Sequence, residues 1–246
     1  YEIGVRLVGS EMCIRDSFAD CQTYADYKDL GAAQAEIFFL ENSRSAAEDT
    51  ARRLEREAVY LPYSYNVFEI RLLLEKAAKR FGATLPDCDT YEKKIENKVR
   101  QLKDILKGMR VAIDSSATPR PLSLARFLLT HDIDVFAVYL DAVDRAEEAD
   151  FYFLKEHYHG LSLRSTLHYK RRLLPRDEVK NHGPVLAVGQ KAAYFTGTKH
   201  FVNLIENSGL YGYMGLLKLM DMMIIAVGTE QDVRSLIQIK AWGCRA

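Results

Sequence analysis

The 246-residue sequence has only four cysteines, Cys13, Cys21, Cys88 and Cys244, and none falls in a Cys-x-x-Cys spacing. That scarcity excludes a zinc knuckle and a self-contained iron–sulfur binding run, and it fits a reducing, cytoplasmic setting better than a disulfide framework. Cys21, Cys88 and Cys244 read as small side chains of the kind usually buried. Charge of one sign is also missing. Lys and Arg total 34 and Asp and Glu total 34, so no basic field marks nucleic acid or an acidic membrane surface as a partner. Long apolar runs are absent too: Met222–Val227 is short against the ~20 residues that a membrane-spanning helix needs, so no membrane is expected. There is no Gly-x-Gly-x-x-Gly and no Walker lysine loop, which leaves a dinucleotide-binding dehydrogenase or a P-loop enzyme without a motif. The histidines His131, His157, His159, His168, His182 and His200 lack the i, i+4 pairing with a carboxylate that a zinc site would use.

What is present suits a packed globular chain, with 48% hydrophobic and 28% charged residues. The first stretch, Leu7-Val-Gly-Ser-Glu-Met-Cys-Ile-Arg-Asp-Ser17, resembles a translated sequencing adaptor and lacks the apolar core of a secretory signal. Residues 1–17 are therefore expected to be an artefact on a reading frame that began further upstream. From Ala35 short apolar runs alternate with amphipathic stretches, the pattern of parallel strands wrapped by helices. Ala35–Leu40 and Val59–Tyr63 read as strands. Arg44–Glu57, capped by Asn42 and Ser43, and Val67–Phe81, stopped by Gly82, read as helices. Tyr91–Leu106 carries Ile95, Val99, Leu102 and Leu106 at helical spacing and reads as a linker helix. Beyond it Arg110–Asp114, Val135–Leu140 and Val185–Gly189 read as strands, and Leu122–Leu129, Ala146–Tyr158, Tyr213–Val227 and Glu230–Lys240 as helices. The methionines of the long apolar helix, Met214, Met220, Met222 and Met223, read as core filler. The predicted fold is α/β, two doubly wound parallel-sheet (Rossmann-like) domains joined by a long helix: residues 18–88, a linker over 89–108, and 109–246.

In open α/β sheets ligands bind beyond the carboxyl ends of the strands, which directs attention to three loops. Asp114-Ser-Ser-Ala-Thr-Pro-Arg-Pro121 offers Ser115, Ser116 and Arg120 together with helix-opening N–H groups, a set suited to an anionic or carbonyl ligand or to ordinary capping. Gly189-Gln-Lys-Ala-Ala-Tyr194 combines a turn glycine and Gln190 with a cation, Lys191, at a strand mouth. The third stretch, His200-Phe-Val-Asn203 followed by Asn207-Ser-Gly209-Leu-Tyr211-Gly-Tyr-Met-Gly215, is a glycine- and tyrosine-rich entry into an apolar helix that lets a backbone or a cofactor come close.

Three segments, Val59–Ile70 with Leu-Pro-Tyr-Ser-Tyr, Gly108–Val143 with Arg-Val-Ala-Ile-Asp, and Val185–Met223 with Gly-Gln-Lys-Ala-Ala-Tyr-Phe and Gly-Leu-Tyr-Gly-Tyr, resemble the nitrogenase component 1 family in order and spacing. That family includes the molybdenum-iron protein chains, their cofactor-assembly scaffolds and the dark-operative protochlorophyllide reductase subunits. The resemblance, over roughly residues 20 to 225, implies a cytoplasmic oxidoreductase fragment. It would accept electrons from an ATP-dependent iron protein through an iron–sulfur cluster and reduce a substrate bound between domains, paired with a related component 1 subunit. It further implies that Lys191, Arg120 and His200 are the catalytic candidates and that Ser115, Ser116, Gly189, Gln190, Asn203, Gly209 and Tyr211 border the ligand. The family's cofactor-ligating cysteine and histidine would fall near Asn42 and Asn203, so the resemblance argues against a nitrogen-fixing metallocofactor. The ligands of the iron–sulfur cluster would belong to a region outside this sequence. The same two missing ligands also suit a non-catalytic member of the fold, a cofactor-assembly scaffold or a structural heterodimer partner. A periplasmic-type or corrinoid-binding module is disfavoured, since neither a signal peptide nor an Asp-x-His-x-x-Gly pattern is present.

Overall fold

The computed structural model describes residues 22–29, 33, 35–169 and 183–232. The chain divides into two compact units, one built from residues up to Tyr91 together with Tyr211–Met214, the other from Glu92–Leu210 and the residues from Gly215 onward. The expected stretch over 1–17 lies outside the described residues.

In the first unit a short helix α1 (Tyr24–Asp29) precedes β1 (Ala35–Phe38), α2 (Arg44–Arg53), β2 (Glu57–Tyr60) and α3 (Val67–Phe81). β1 and β2 pair in parallel with Ala35 opposite Glu57 and Phe38 opposite Tyr60, one β-α-β step. α2 buries Ala47 and Ala51 and leaves its arginines outside. Asn42 and Ser43 do not cap it. They lie in a 3₁₀ turn, Glu41–Ser43, with no side-chain cap, and Arg44 pairs with Glu41 at 2.6 Å while its guanidinium lies over the Phe38 and Tyr60 rings. At α3 the cap, not foreseen from the sequence, is made by Asn66, whose Oδ1 accepts from the Phe68 and Glu69 N–H groups, and α3 ends as expected at Gly82, in the left-handed conformation that glycine adopts without strain. Val59, Leu61, Ala77, Ala78 and Tyr211 form its core, with Phe39 and Tyr63 packed on the Tyr211 ring at 4.7 and 5.6 Å.

The dividing point between the units falls inside α4 (Cys88–Leu106), the helix read from sequence as a linker. Ile95, Val99, Leu102 and Leu106 are all buried, so from Glu92 on this helix is part of the second unit's body. Lys98 also reaches Asp221 at 2.8 Å. After it come β3 (Arg110–Asp114), α5 (Pro121–Thr130), β4 (Val135–Tyr139), α6 (Glu148–His157), β5 (Ser162–Arg164), β6 (Val185–Val188), α7 (Gln190–Thr196), β7 (Phe201–Val202) and α8 (Gly212–Gly228). The helix expected over residues 230–240 lies beyond the described residues from 233 on.

The five strands form one parallel sheet in the order β5-β4-β3-β6-β7. The chain builds outward from β3 through β4 to β5, then returns to the other side of β3 for β6 and β7, the doubly wound arrangement. β3, β4 and β6 are buried along nearly their whole length, as strands covered on both faces must be, and their Val, Ala, Ile and Leu content follows from that. Of the four methionines expected as core filler, Met220 and Met223 are buried on α8, whereas Met214 and Met222 are only half-buried. Gly215 is required there, because a Cβ would lie 2.5 Å from the Leu210 carbonyl carbon.

Leu102, fully buried on α4, distinguishes a core helix from a solvated linker. Leu102→Ala is expected to lower unfolding free energy by about 2 to 5 kcal/mol in urea titration, as loss of a buried leucine does. A change within a few tenths of a kcal/mol would mean that α4 is not part of the packed body.

Candidate functional site

The reversal of winding between β3 and β6 opens the sheet's carboxyl edge at a single point, where open α/β sheets take their ligands. β3 delivers Asp114, Ser115 and Ser116 there, and β6 delivers Gly189, Gln190 and Lys191. Five of the residues expected from sequence therefore lie on two adjacent strand ends. Asn203, which follows β7, joins them: Gln190 Nε2 donates to Asn203 Oδ1 at 2.7 Å.

The centre of this edge is Asp114, which is fully buried. One carboxylate oxygen accepts from the Ser116 N–H at 2.8 Å, from the Ala117 N–H at 3.2 Å and from the Ser116 hydroxyl. The other accepts from the Ala192 N–H at 2.7 Å. The side chain thus fastens the loop after β3 to the first turn of α7, 78 residues away in sequence. Gly189 makes the approach feasible, since it holds φ at +107° and a Cβ on it would stand 2.3 Å from the Asp114 carboxylate. Burial pushes the Asp114 carboxyl above its ordinary pKa, while the Ser116 and Ala192 donors and the charge of Lys191 pull it back down.

Two further carboxylates are used in the same way. Asp141, just after β4, accepts from the Thr166 and Leu167 N–H groups at 2.7 and 2.9 Å and from the Ser165 and Thr166 hydroxyls. Burial acts to raise its pKa, but these donors outweigh burial and hold it below the usual aspartate value. Glu147, only 2% exposed, accepts from the Leu122 and Ser123 N–H groups at 2.7 and 3.0 Å and so closes the N-terminus of α5 from outside the helix. Burial raises it to about 7, against those two N–H donors and the charge of Arg120.

Lys191 is exposed at the start of α7, and its Nζ lies 3.4 Å from Thr166 Oγ1, the same hydroxyl that donates to Asp141. Arg120 has a different task from the one expected. It is buried immediately before α5, and its guanidinium pairs at 2.9 Å with Asp150 on α6, which also takes Arg126 at 3.1 Å. His200 lies at the amino end of β7, and its Nδ1 meets the Ala226 carbonyl of α8 at 3.1 Å, so the ring points into the sheet's flank rather than its carboxyl edge. Gly209 closes a turn, Glu206–Gly209, in which four successive residues have positive φ, and that turn hydrogen-bonds through the Glu206 and Asn207 N–H groups to the Ser116 and Ala117 carbonyls. Tyr211 is a core residue of the first unit, where burial raises its hydroxyl pKa.

Asp141, Glu147, Asp150 and Thr166 are absent from the residues expected on sequence grounds. Only Asp114 carried a signal, as a lone acid ending an apolar strand.

No protein-family model matches the chain, and no curated protein matches it by sequence. Its fold is similar to that of a solved structure described as "Nitrogenase Cp1 at pH 6.5", with a TM-score of 0.53 and 15% sequence identity over 82% of this chain. The chain spans about half of that neighbour, 47% of its length. At that identity the likeness is one of fold. Among the described residues no three His, Cys, Asp or Glu side chains converge to hold a metal ion, and Cys88 is buried at the start of α4. Also among the described residues, no helix is long and apolar enough to cross a membrane.

Glu147 gives this edge a pH signature. Its folded-state pKa is raised from 4.5 to about 7, so the folded chain holds that proton more tightly than the unfolded chain, and the associated stability is lost as pH rises through that interval. Glu147→Gln, which keeps an acceptor for the two N–H groups, should flatten the fall in unfolding free energy between about pH 4.5 and 7 by on the order of 2 kcal/mol. An unchanged pH profile in denaturant titrations of the variant would contradict this.

Proposed function

We propose that the chain is part of a nitrogenase-like component 1 oxidoreductase subunit. In this reading the subunit accepts electrons from an ATP-dependent iron protein, works alongside a related component 1 subunit, and reduces a bound substrate. Two observations support it: the order and spacing of the three segments that resemble the family, and the nitrogenase-like fold over 82% of the chain. The observation that carries the site is the placement of Lys191, an exposed cation beside Thr166 at the point where the sheet reverses its winding.

The chemistry this chain's own residues supply is electrostatic. The acids around the edge, Asp114, Asp141 and Glu147, each direct carboxyl oxygens onto backbone N–H groups. Lys191 is held by a neutral hydroxyl and keeps N–H donors for a ligand. A negative charge on a ligand, or one developing during reduction, is stabilised there at the open end of the sheet. Gln190 and Asn203, bonded to each other, border it with amide groups.

A second reading, a non-catalytic scaffold or structural partner of the same fold, is favoured by the commitment of Arg120 to Asp150 and of the helix-opening N–H groups to internal carboxylates. The two readings part at Lys191. In the full-length subunit assayed with its iron protein, Lys191→Ala should reduce turnover by about 10²-fold with subunit assembly intact. Unchanged turnover would overturn the catalytic assignment of Lys191, and a wild-type subunit that assembles but does not turn over would favour the scaffold.

A further inference from the structure

The second unit has a groove of about 280 Å³ lined by Leu122, Phe151, Leu154, Lys155, Tyr158, His159, Leu161 and Leu163. Phe151, Leu154, Lys155 and Tyr158 follow the i, i+3, i+4, i+7 spacing that places them on one stripe along and just beyond α6. Leu161, just before β5, and Leu163 within it are two residues apart and both line the groove at an edge strand of the sheet. Leu163 is 42% exposed, an apolar side chain held toward water on an edge strand. The groove therefore has five apolar walls and a rim that carries the Lys155 amine, the His159 imidazole and the phenol of Tyr158. Glu147, the acid at the head of the same stripe, is turned onto the Leu122 and Ser123 N–H groups.

We propose that this groove binds a small amphipathic carboxylate, its alkyl or aryl portion against Leu122, Phe151, Leu154, Leu161 and Leu163 and its carboxylate at Lys155 and His159. The volume sets the class, since it lies at the small end of ligand pockets and takes a short chain or one ring rather than a nucleotide. The rim sets the sign. The apolar walls supply affinity by burial, and the Lys155 cation with the His159 ring as a hydrogen-bonding neighbour fixes which end of the ligand faces out, the usual division between contact area and polar orientation. The groove shares no lining residue with the Lys191–Thr166 pair, and the proposal does not depend on the oxidoreductase reading.

Octanoate is a suitable probe, titrated into the full chain by calorimetry with octylammonium as a control of equal length and opposite charge. Saturable binding at or below about 1 mM is expected for octanoate and at least about tenfold weaker binding for octylammonium. Lys155→Glu should weaken octanoate by about tenfold or more. Leu163→Trp should fill the groove and abolish saturable binding, with folding checked by circular dichroism. Because Leu163 and Lys155 are both exposed, neither variant threatens the core. Absence of saturable octanoate binding, equal affinity for octylammonium, or wild-type affinity in the folded Leu163→Trp variant would each overturn the proposal.

Discussion

A carboxylate buried at the point where a parallel sheet reverses direction is the constraint on which the second unit rests. Burying a carboxyl group is costly unless donors replace the lost hydration, and Asp114 meets that demand with four of them from two separate loops. The consequence is positional. The end of β3 and the start of α7 cannot separate without leaving a buried carboxyl oxygen unsatisfied, so the residues they carry, Ser116 on one side and Lys191 on the other, stay in a fixed relation. Gly189 is the geometric condition for this clamp. Any side chain there would occupy the space of the Asp114 oxygens, and the φ of +107° is one that other residues rarely hold.

The same device recurs around the carboxyl edge of the sheet, and it shapes what the fold can do. Doubly wound sheets that bind phosphates leave helix-opening N–H groups free for the anion. Here Asp114 takes the Ala192 N–H of α7 and Glu147 those of Leu122 and Ser123 at the start of α5, while Asp141 holds the Thr166 and Leu167 N–H groups of the bend after β5. Internal carboxylates stand where a phosphate would. This accounts physically for the absence of glycine-rich phosphate motifs in the sequence, and it directs ligand chemistry at this edge to the side chains that remain available, chiefly Lys191. It also separates the edge from the α6 groove, where an apolar surface rather than a polar cradle does the binding.

Much of the fold was legible in the sequence because its signals are local. Val111-Ala-Ile113 and Val185–Val188 are runs of apolar residues that only a strand buried on both faces would carry, and Val67–Phe81 shows helical spacing stopped by Gly82. The short pieces escaped. β5, β7 and α7 have 3, 2 and 7 residues, too few for a period to show, and exist because the sheet pairs or covers them. α4 was legible as a helix but its role was not, since spacing reveals a buried stripe without naming what buries it. In the site the same division holds. Gly189, Lys191, Ser116 and Asn203 could be expected because they follow strand ends. The roles of Asp150 and Glu147 depend on α6 packing beside α5, a contact between residues 24 to 30 positions apart that no local pattern encodes. That contact is also what draws Arg120 away from the strand mouth.

Amide hydrogen exchange in wild type and Asp114→Ala tests the clamp most directly, because it reports each fastened N–H separately. If Asp114 unites the two loops, the variant should show faster exchange at Ser116 and Ala117 and equally at Ala192 and the turn around it, 78 residues distant, while Leu122 and Ser123 under Glu147 remain protected. Faster exchange confined to residues 115–117, with Ala192 as protected as in wild type, would contradict the account, since the strand ends would then be held together by something other than this carboxylate.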